Sequence, residues 1–526
     1  MKKYLSLALV FIVIFSSLCF LSGCKQVKEG GVFRLSIISD PVSIDPSQAI
    51  DFSAQHIIYN AFRGLLQYDP ETSKLVPAVA KRWEISKDSK EFTFFLRDDV
   101  KFQNGQSVTA SDFKYAWERV VNPANASPVA YHFSPIVGYQ EFSDKKAKGL
   151  SGVIAVNDTT LKVKLSYSWA DFLAVVAHPA FSPVPKEAVQ KNPKAYAEAP
   201  VGNGPFKIVK WIHKKEIQLE AFDDFFGGKP RLKKLVYKIY SDGRTALKDY
   251  KAGSLEVAKI PSGELVALQK DAKYSDQIKL NPQLSAEFFY INVEKKPWNN
   301  LYLRKAFNYA INRKKLVDKA FEGLATQATG LVPRGIDGFV TNQMDYSFNL
   351  IEAKKLIKKS GLSSKELNKL EIVYPAGSSF SSNVCQIAQA QLKEAGINLK
   401  LQALEAGTLD EKISNGDFGL TFTGWIADYP LMDNFLYPLF ASENKGSSNI
   451  SFYSNKSIDK ELSQARQIEN EQERLGVYAD IERKILADAP VVPIDFVLDG
   501  ELVAQSVQDY QPLSVGLTPL EKAWLE

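Results

Sequence analysis

Cysteine is nearly absent from this chain: its 526 residues include three, Cys19, Cys24 and Cys385. The first two fall in and just after an apolar N-terminal run, so Cys385 alone remains for the folded part and no internal disulfide can form. Histidine is almost as scarce, and none of His56, His132, His178 and His213 has a partner at metal-ligand spacing. No metal site and no cofactor are therefore expected. There is no Gly-x-Ser-x-Gly elbow and no phosphate loop. Gly202-Asn203-Gly204-Pro205 lacks the third glycine of a dinucleotide fingerprint and runs into a strand pattern, so it reads as a tight turn. Adjacent acids such as Asp98-Asp99 and Asp223-Asp224 point apart on extended chain and read as solvated turns. No catalytic constellation emerges, and the chain is expected not to be an enzyme.

Charge of one sign is also missing. The formal net charge is +5, to which Lys2 and Lys3 contribute two. The lysine clusters at 145–148 and 354–359 read as solvated loop and helix faces, without interleaved aromatics. Nucleic acid is not an expected partner.

What is present begins at the N-terminus. Lys2 and Lys3 precede an apolar run from Tyr4 to Leu21, which leads into Leu21-Ser22-Gly23-Cys24. This is the layout of an export signal. A retained transmembrane anchor is the alternative, weakened by Ser16, Ser17 and Cys19 within the run. Leu-Ser-Gly-Cys resembles the bacterial lipobox, which implies removal of residues 1–23 and lipid attachment at Cys24. Such an anchor holds by roughly 0.8 kcal/mol per buried methylene. The polar stretch 24–31 suits a tether.

Beyond it, Val32 to Ile38 alternates as a strand, as do Glu91 to Arg97 and Thr160 to Ser166. Thr109-Ala110-Ser111-Asp112 opens a helix with Phe113, Ala116, Trp117 and Val120 on one face. Two long strands are expected at Phe206 to Ala221 and Leu232 to Tyr240, and one helix from Leu301 to about Ala320. Lys369 to Pro375, Phe380 to Ala395 and Ile397 to Leu404 spell a βαβ unit with Gly396 capping the helix. Helices at about 458–470 and 472–487 end at Ala489-Pro490-Val491-Val492-Pro493, where the chain returns to strand. Cys385 falls within a helix as a buried, inert thiol. With 45% hydrophobic residues the chain can bury a large core.

Several segments, in order, resemble the oligopeptide-binding family of bacterial ABC importers. They are Ser43-Ile44-Asp45-Pro46, Ala61-Phe62-Arg63-Gly64-Leu65-Leu66, Leu75-Val76-Pro77-Ala78-Val79-Ala80, Phe92 to Arg97 and Thr109 to Phe113. Gly202-Asn203-Gly204-Pro205-Phe206, Leu303-Arg304-Lys305-Ala306 with Ala310 to Arg313, and Gly424-Trp425-Ile426-Ala427-Asp428-Tyr429-Pro430 follow. The resemblance spans about residues 32–500 and is carried by the ordered set.

It implies an α/β (α+β mixed), two-lobed periplasmic-binding-protein fold, type II, cluster C, with an additional third domain. The implied division is lobe I from 32–50, 171–285 and 493–526, an extra domain from 51–170, and lobe II from 286–492. It further implies an extracytoplasmic, lipid-anchored monomer that captures oligopeptides and delivers them to membrane permease subunits. By the motif match Asp428 pairs with the peptide α-ammonium, Trp425 and Gly424 line the same site, Phe288 and Tyr290 lie on the ligand-facing strand, and Asp40 stands beside the ligand. Read without the family, Asp428 is a turn aspartate and Trp425 a core anchor. Phe422 replaces a basic residue that some peptide binders carry, and the loop 410–418 offers only Lys412. Capture of the peptide C-terminus is thus open, which leaves room for a non-peptide solute such as a metal chelate, haem or a cell-wall fragment. A surface-anchored hydrolase or chaperone is the reading of another class.

Overall fold

The computed structural model of the protein describes residues 30–48, 51–72, 74–169 and 171–526. The export signal expected at 1–23 and the lipid attachment expected at Cys24 lie outside them. Among the described residues no helix is long and apolar enough to cross a membrane.

Two long strands, Ile278–Ile291 and Val491–Val503, form the spine. They pair antiparallel in two stretches, Ile278↔Leu502 to Pro282↔Leu498 and Ala286↔Phe496 to Tyr290↔Val491, with register shifts between Pro282 and Ala286 and between Glu287 and Phe288. Such irregularities leave ladder groups free and re-aim the strands that carry them. The spine belongs to an eleven-stranded sheet. On one side follow Val257–Lys259, Val32–Ile37, Lys234–Ile239, Glu216–Ala221 and Phe206–Ile212, and on the other Leu420–Ile426, Glu371–Pro375 and Lys400–Leu404. The molecule is therefore mixed α/β, with both halves threaded on the same two strands.

The βαβ unit forms as its pattern requires. Glu371–Pro375 and Lys400–Leu404 are parallel neighbours joined by the helix Ser379–Glu394. The Ser378 side chain caps that helix, and Gly396 turns out of it at φ +94°. Cys385 is fully buried in this half's core, and burial pushes its thiol up to about 12, which removes the thiolate needed for reactivity.

Two expectations are corrected. Phe206 to Ala221 is a hairpin, Phe206–Ile212 with Glu216–Ala221, which turns at the polar run His213-Lys214-Lys215, where Lys214 takes a positive φ of 61°. Leu301 to Ala320 is two helices, Leu301–Ala310 and Arg313–Ala320. Asn312 caps the second by accepting the Lys315 N–H at 2.9 Å, while Gln391 Oε1 takes the Asn312 N–H at 2.8 Å. A side chain that satisfies the backbone at this point offers the chain an alternative to continuing the helix.

A separate antiparallel sheet is built from Ala80–Ile85, Glu91–Leu96, Thr160–Lys164 and Val153–Asn157. The helix Ala110–Val121 begins with a Thr109/Asp112 capping box and buries Phe113, Ala116, Trp117 and Val120. The Gly202-Asn203-Gly204 turn is a seam. A Cβ at Gly202 would stand 2.0 Å from the Ala61 carbonyl oxygen, and Asn203 exchanges hydrogen bonds of 2.9 and 3.0 Å with the Arg63 backbone. Glycine is required there by close approach of two backbones, not by a phosphate. Arg304 and Arg313 are likewise structural, donating to the carbonyls of Asp488 and Ala489 and of Pro493 and Tyr346 respectively.

Candidate functional site

The strand Leu420–Ile426 pairs with the spine from Ser285↔Ile426 to Ile291↔Leu420. At Gly424 a Cβ would come 3.0 Å from Glu287 Cγ and 3.3 Å from the Ala286 carbonyl oxygen, a close approach that a side chain would crowd. Where the spine shifts register, the Leu284 carbonyl is free to accept the Ala427 N–H at 2.8 Å. That bond pins the end of the strand and delivers Asp428 into the space between the two halves.

Asp428 is then fixed by Asn434. Asn434 Oδ1 accepts the Asp428 N–H at 2.9 Å and the Trp425 indole N–H at 3.2 Å, and its Nδ2 donates back to Asp428 Oδ2 at 3.3 Å. From the opposite side the Tyr131 hydroxyl donates to the same carboxylate oxygen at 3.2 Å. This bond joins segments 297 residues apart and spans the cleft.

Two histidines complete the surround. His178 Nε2 lies 3.9 Å from Asp428 Oδ1 and His132 Nε2 lies 4.0 Å from Oδ2. Their rings are tilted against each other with centroids 4.4 Å apart. Both are buried, which pushes each imidazole down to about 3 and keeps it neutral. Burial likewise raises the Asp428 carboxyl above the usual range. A side chain only 15% exposed thus carries a charge that, among the described residues, no lysine or arginine matches.

Ligand atoms of His132, His178 and Asp428 lie within 4.8 Å of one another, a geometry that could hold a cation. The tautomer argues against a metal. His178 Nδ1 accepts the Ala180 N–H at 3.2 Å, so its proton sits on Nε2, facing the carboxylate. A metal-bound Nε2 would require N–H on Nδ1, opposed to the Ala180 donor. The cluster offers an anion, a donor and the unpartnered Nε2 of His132.

A cavity of about 670 Å³ opens from this cluster. Tyr290, Gly424, Trp425 and Asp428 line it, with Tyr131, Trp169, Tyr429 and Tyr437 as aromatic walls. Phe288 is fully buried and packs beside Tyr290 at 5.5 Å without lining the cavity. Asp40 is placed elsewhere. Its carboxylate takes the Trp211 indole N–H at 2.9 Å and the Lys214 N–H at 2.9 Å, beside His213, and it does not line the cavity. The hairpin turn at Lys214 is what captures it. Tyr131, His132 and His178 were not singled out from sequence as site residues. They sit on two short 3-10 turns or next to them, with no local spacing that links them.

Comparison with known proteins matches this architecture. The profile of the bacterial extracellular solute-binding proteins, family 5 Middle, fits residues 74–447. The oligopeptide-binding protein OppA of Bacillus subtilis (strain 168) is 30% identical over 494 residues, covering 91% of this chain and 89% of its own. The probable deoxycholate-binding periplasmic protein YgiS of Escherichia coli (strain K12) is 29% identical, covering 88% and 87%. Among solved structures, the Escherichia coli murein tripeptide binding protein MppA superposes with a TM-score of 0.84 at 26% identity, over 95% of this chain and 99% of that one. The chain belongs to family 5 of the bacterial extracellular solute-binding proteins and has their two-lobed periplasmic-binding-protein fold.

Proposed function

We propose that the protein is the substrate-binding component of an ABC-type importer and captures peptides by their free α-amine at Asp428, without catalysing a reaction. The observation that carries this is a largely buried carboxylate fixed by Asn434, met across the cleft by the Tyr131 hydroxyl and left without a cation among the described residues. An ammonium has the charge and the donors that this position lacks, and a charge-assisted hydrogen bond forms there in a low-dielectric site. The ligand bridges both sides of the cleft, so it stabilises the closed arrangement by its differential affinity for it.

Trp425, Gly424 and Tyr290 form the wall beside the amine. In this reading the lobes and extra domain divide as the sequence resemblance implies. The mature molecule is a monomer tethered through lipid on Cys24, and replacing Cys24 with serine is expected to release it from membranes in a fractionation assay.

The peptide reading draws support from the relatives named for oligopeptides and a murein tripeptide. A non-peptide solute is the second reading, favoured by one relative's name and by the lack of an unpaired cation in the cavity lining for a terminal carboxylate. Native mass spectra of the purified protein, followed by thermal-shift titration after ligand removal, separate the two. Peptidic bound masses and a peptide-induced rise in Tm support the first reading. A non-peptidic bound mass, with no response to peptides, overturns it.

A further inference from the structure

The charges along the cavity do not balance, and the imbalance specifies a ligand class. Three full charges line it: Asp428, Glu443 and Arg466. Arg466 is already committed. Its Nε and Nη2 donate to the two oxygens of fully buried Asp433, both at 2.8 Å, and its Nη1 donates to the Tyr167 hydroxyl at 3.3 Å. The guanidinium is further held near Trp169 and Tyr437, 4.7 and 3.3 Å from their ring centroids. A bidentate Arg–carboxylate pair of this kind is self-neutralising, and drawing Arg466 toward a ligand would strand Asp433.

No ion pair among the described residues offsets the two remaining carboxylates, of which Asp428 is largely buried and Glu443 is exposed. Among the described residues Glu443 receives the Tyr437 hydroxyl and no ion pair. The nearby Lys445 is turned away to Glu294 at 2.8 Å. His132 reaches the same space with a buried, unpartnered Nε2, but burial keeps it neutral. One carboxylate is met by an α-ammonium under the function proposed above. The other is left over.

We infer that this cavity selects ligands with two positive charges: peptides whose α-ammonium sits at Asp428 and whose lysine or arginine side chain reaches Glu443. This rests on the peptide reading and narrows it to basic peptides. Complementary charge in a partly enclosed site favours the right partner and penalises the wrong one. A carboxylate-bearing side chain in the same place would face Glu443 and be rejected.

The test is calorimetric titration of the full mature chain with tetrapeptides of alanine carrying one lysine, norleucine or glutamate at positions two, three or four. At one position lysine is expected to bind roughly two- to fivefold tighter than norleucine, the upper range of an exposed ion pair. Glutamate there should bind more weakly than norleucine. In Glu443→Gln the ratio of lysine-peptide to norleucine-peptide affinity should fall to about one. Raising the salt concentration should shrink the preference in the parent protein. Equal binding of lysine and norleucine peptides at all three positions, or a preference that survives in Glu443→Gln, overturns the inference and leaves peptide capture standing. Failure of every tetrapeptide to bind, with Tm unchanged by any of them, overturns both.

Discussion

Two aspartates five positions apart on one segment, Asp428 and Asp433, have opposite environments. Asp433 is 0% exposed, takes two hydrogen bonds from Arg466 and a third from the Tyr478 hydroxyl at 3.1 Å. Asp428, its side chain 15% exposed, receives only neutral donors and looks at two uncharged imidazoles. A charge the fold keeps for itself is matched by the fold. On the function proposed above, a charge kept for a ligand is positioned and left unmatched, which costs stability in the empty molecule and returns it on binding.

The largest effect that would break this contrast is on stability. Arg466→Met leaves Asp433 buried without its cation and should destabilise the protein by about 3–5 kcal/mol, read by denaturant unfolding. Asp428→Asn should do the reverse, leaving Tm unchanged or raised while peptide affinity falls by about 100-fold, near 3 kcal/mol. If both variants lose stability equally, the contrast is false.

Acidity sharpens the comparison. Asp428 must be ionised to hold an ammonium, and its free-state pKa is raised by burial. Affinity should therefore be full above that raised value and decline as pH falls through it, earlier than for an ordinary carboxylate. Asp428→Asn should bind weakly at every pH, without this decline.

A second buried acid pair lies at the register shift, where Glu287 and Asp495 face each other across the spine. No donor among the described residues reaches either Asp495 oxygen, and burial raises both groups, Glu287 to about 7. A shared proton supplies the missing donor. Folded-state pKa values above the unfolded ones mean that this contribution is complete below about pH 4, the ordinary glutamate range, and is lost as pH rises through about 7. Glu287→Gln should therefore gain on the order of 1–2 kcal/mol over the parent at pH 8, and little at pH 5, in urea melts. The smallest effect is expected for Tyr131→Phe. Loss of one hydrogen bond across the cleft should cost about 1 kcal/mol of binding, roughly fivefold, with no change in stability.

Much of the fold was legible because local patterns carry it. The Thr109 capping box, the apolar face of Ala110–Val121 and the strand–helix–strand run from Glu371 to Leu404 each form from their own residues. The two errors have different causes: the polar run His213-Lys214-Lys215 marks a turn between two strands, whereas helical spacing continues through the cap at Asn312. For the site, Asp428 was reachable only through its family motif, since Asp before Tyr-Pro is an ordinary turn on its own. Asp40 was placed beside the ligand, and the structure instead gives its carboxylate to Trp211 and Lys214. His132 and His178 acquire meaning only when two distant turns meet over Asp428, which no spacing along the chain encodes.

The central claim is that Asp428 is reserved for an amine, and it is tested most directly by titrating one peptide and its N-acetyl twin into the same protein by calorimetry. The free peptide should bind, acetylation should remove about as much affinity as Asp428→Asn does, and the two losses should not add. Equal affinity for the two peptides would contradict it.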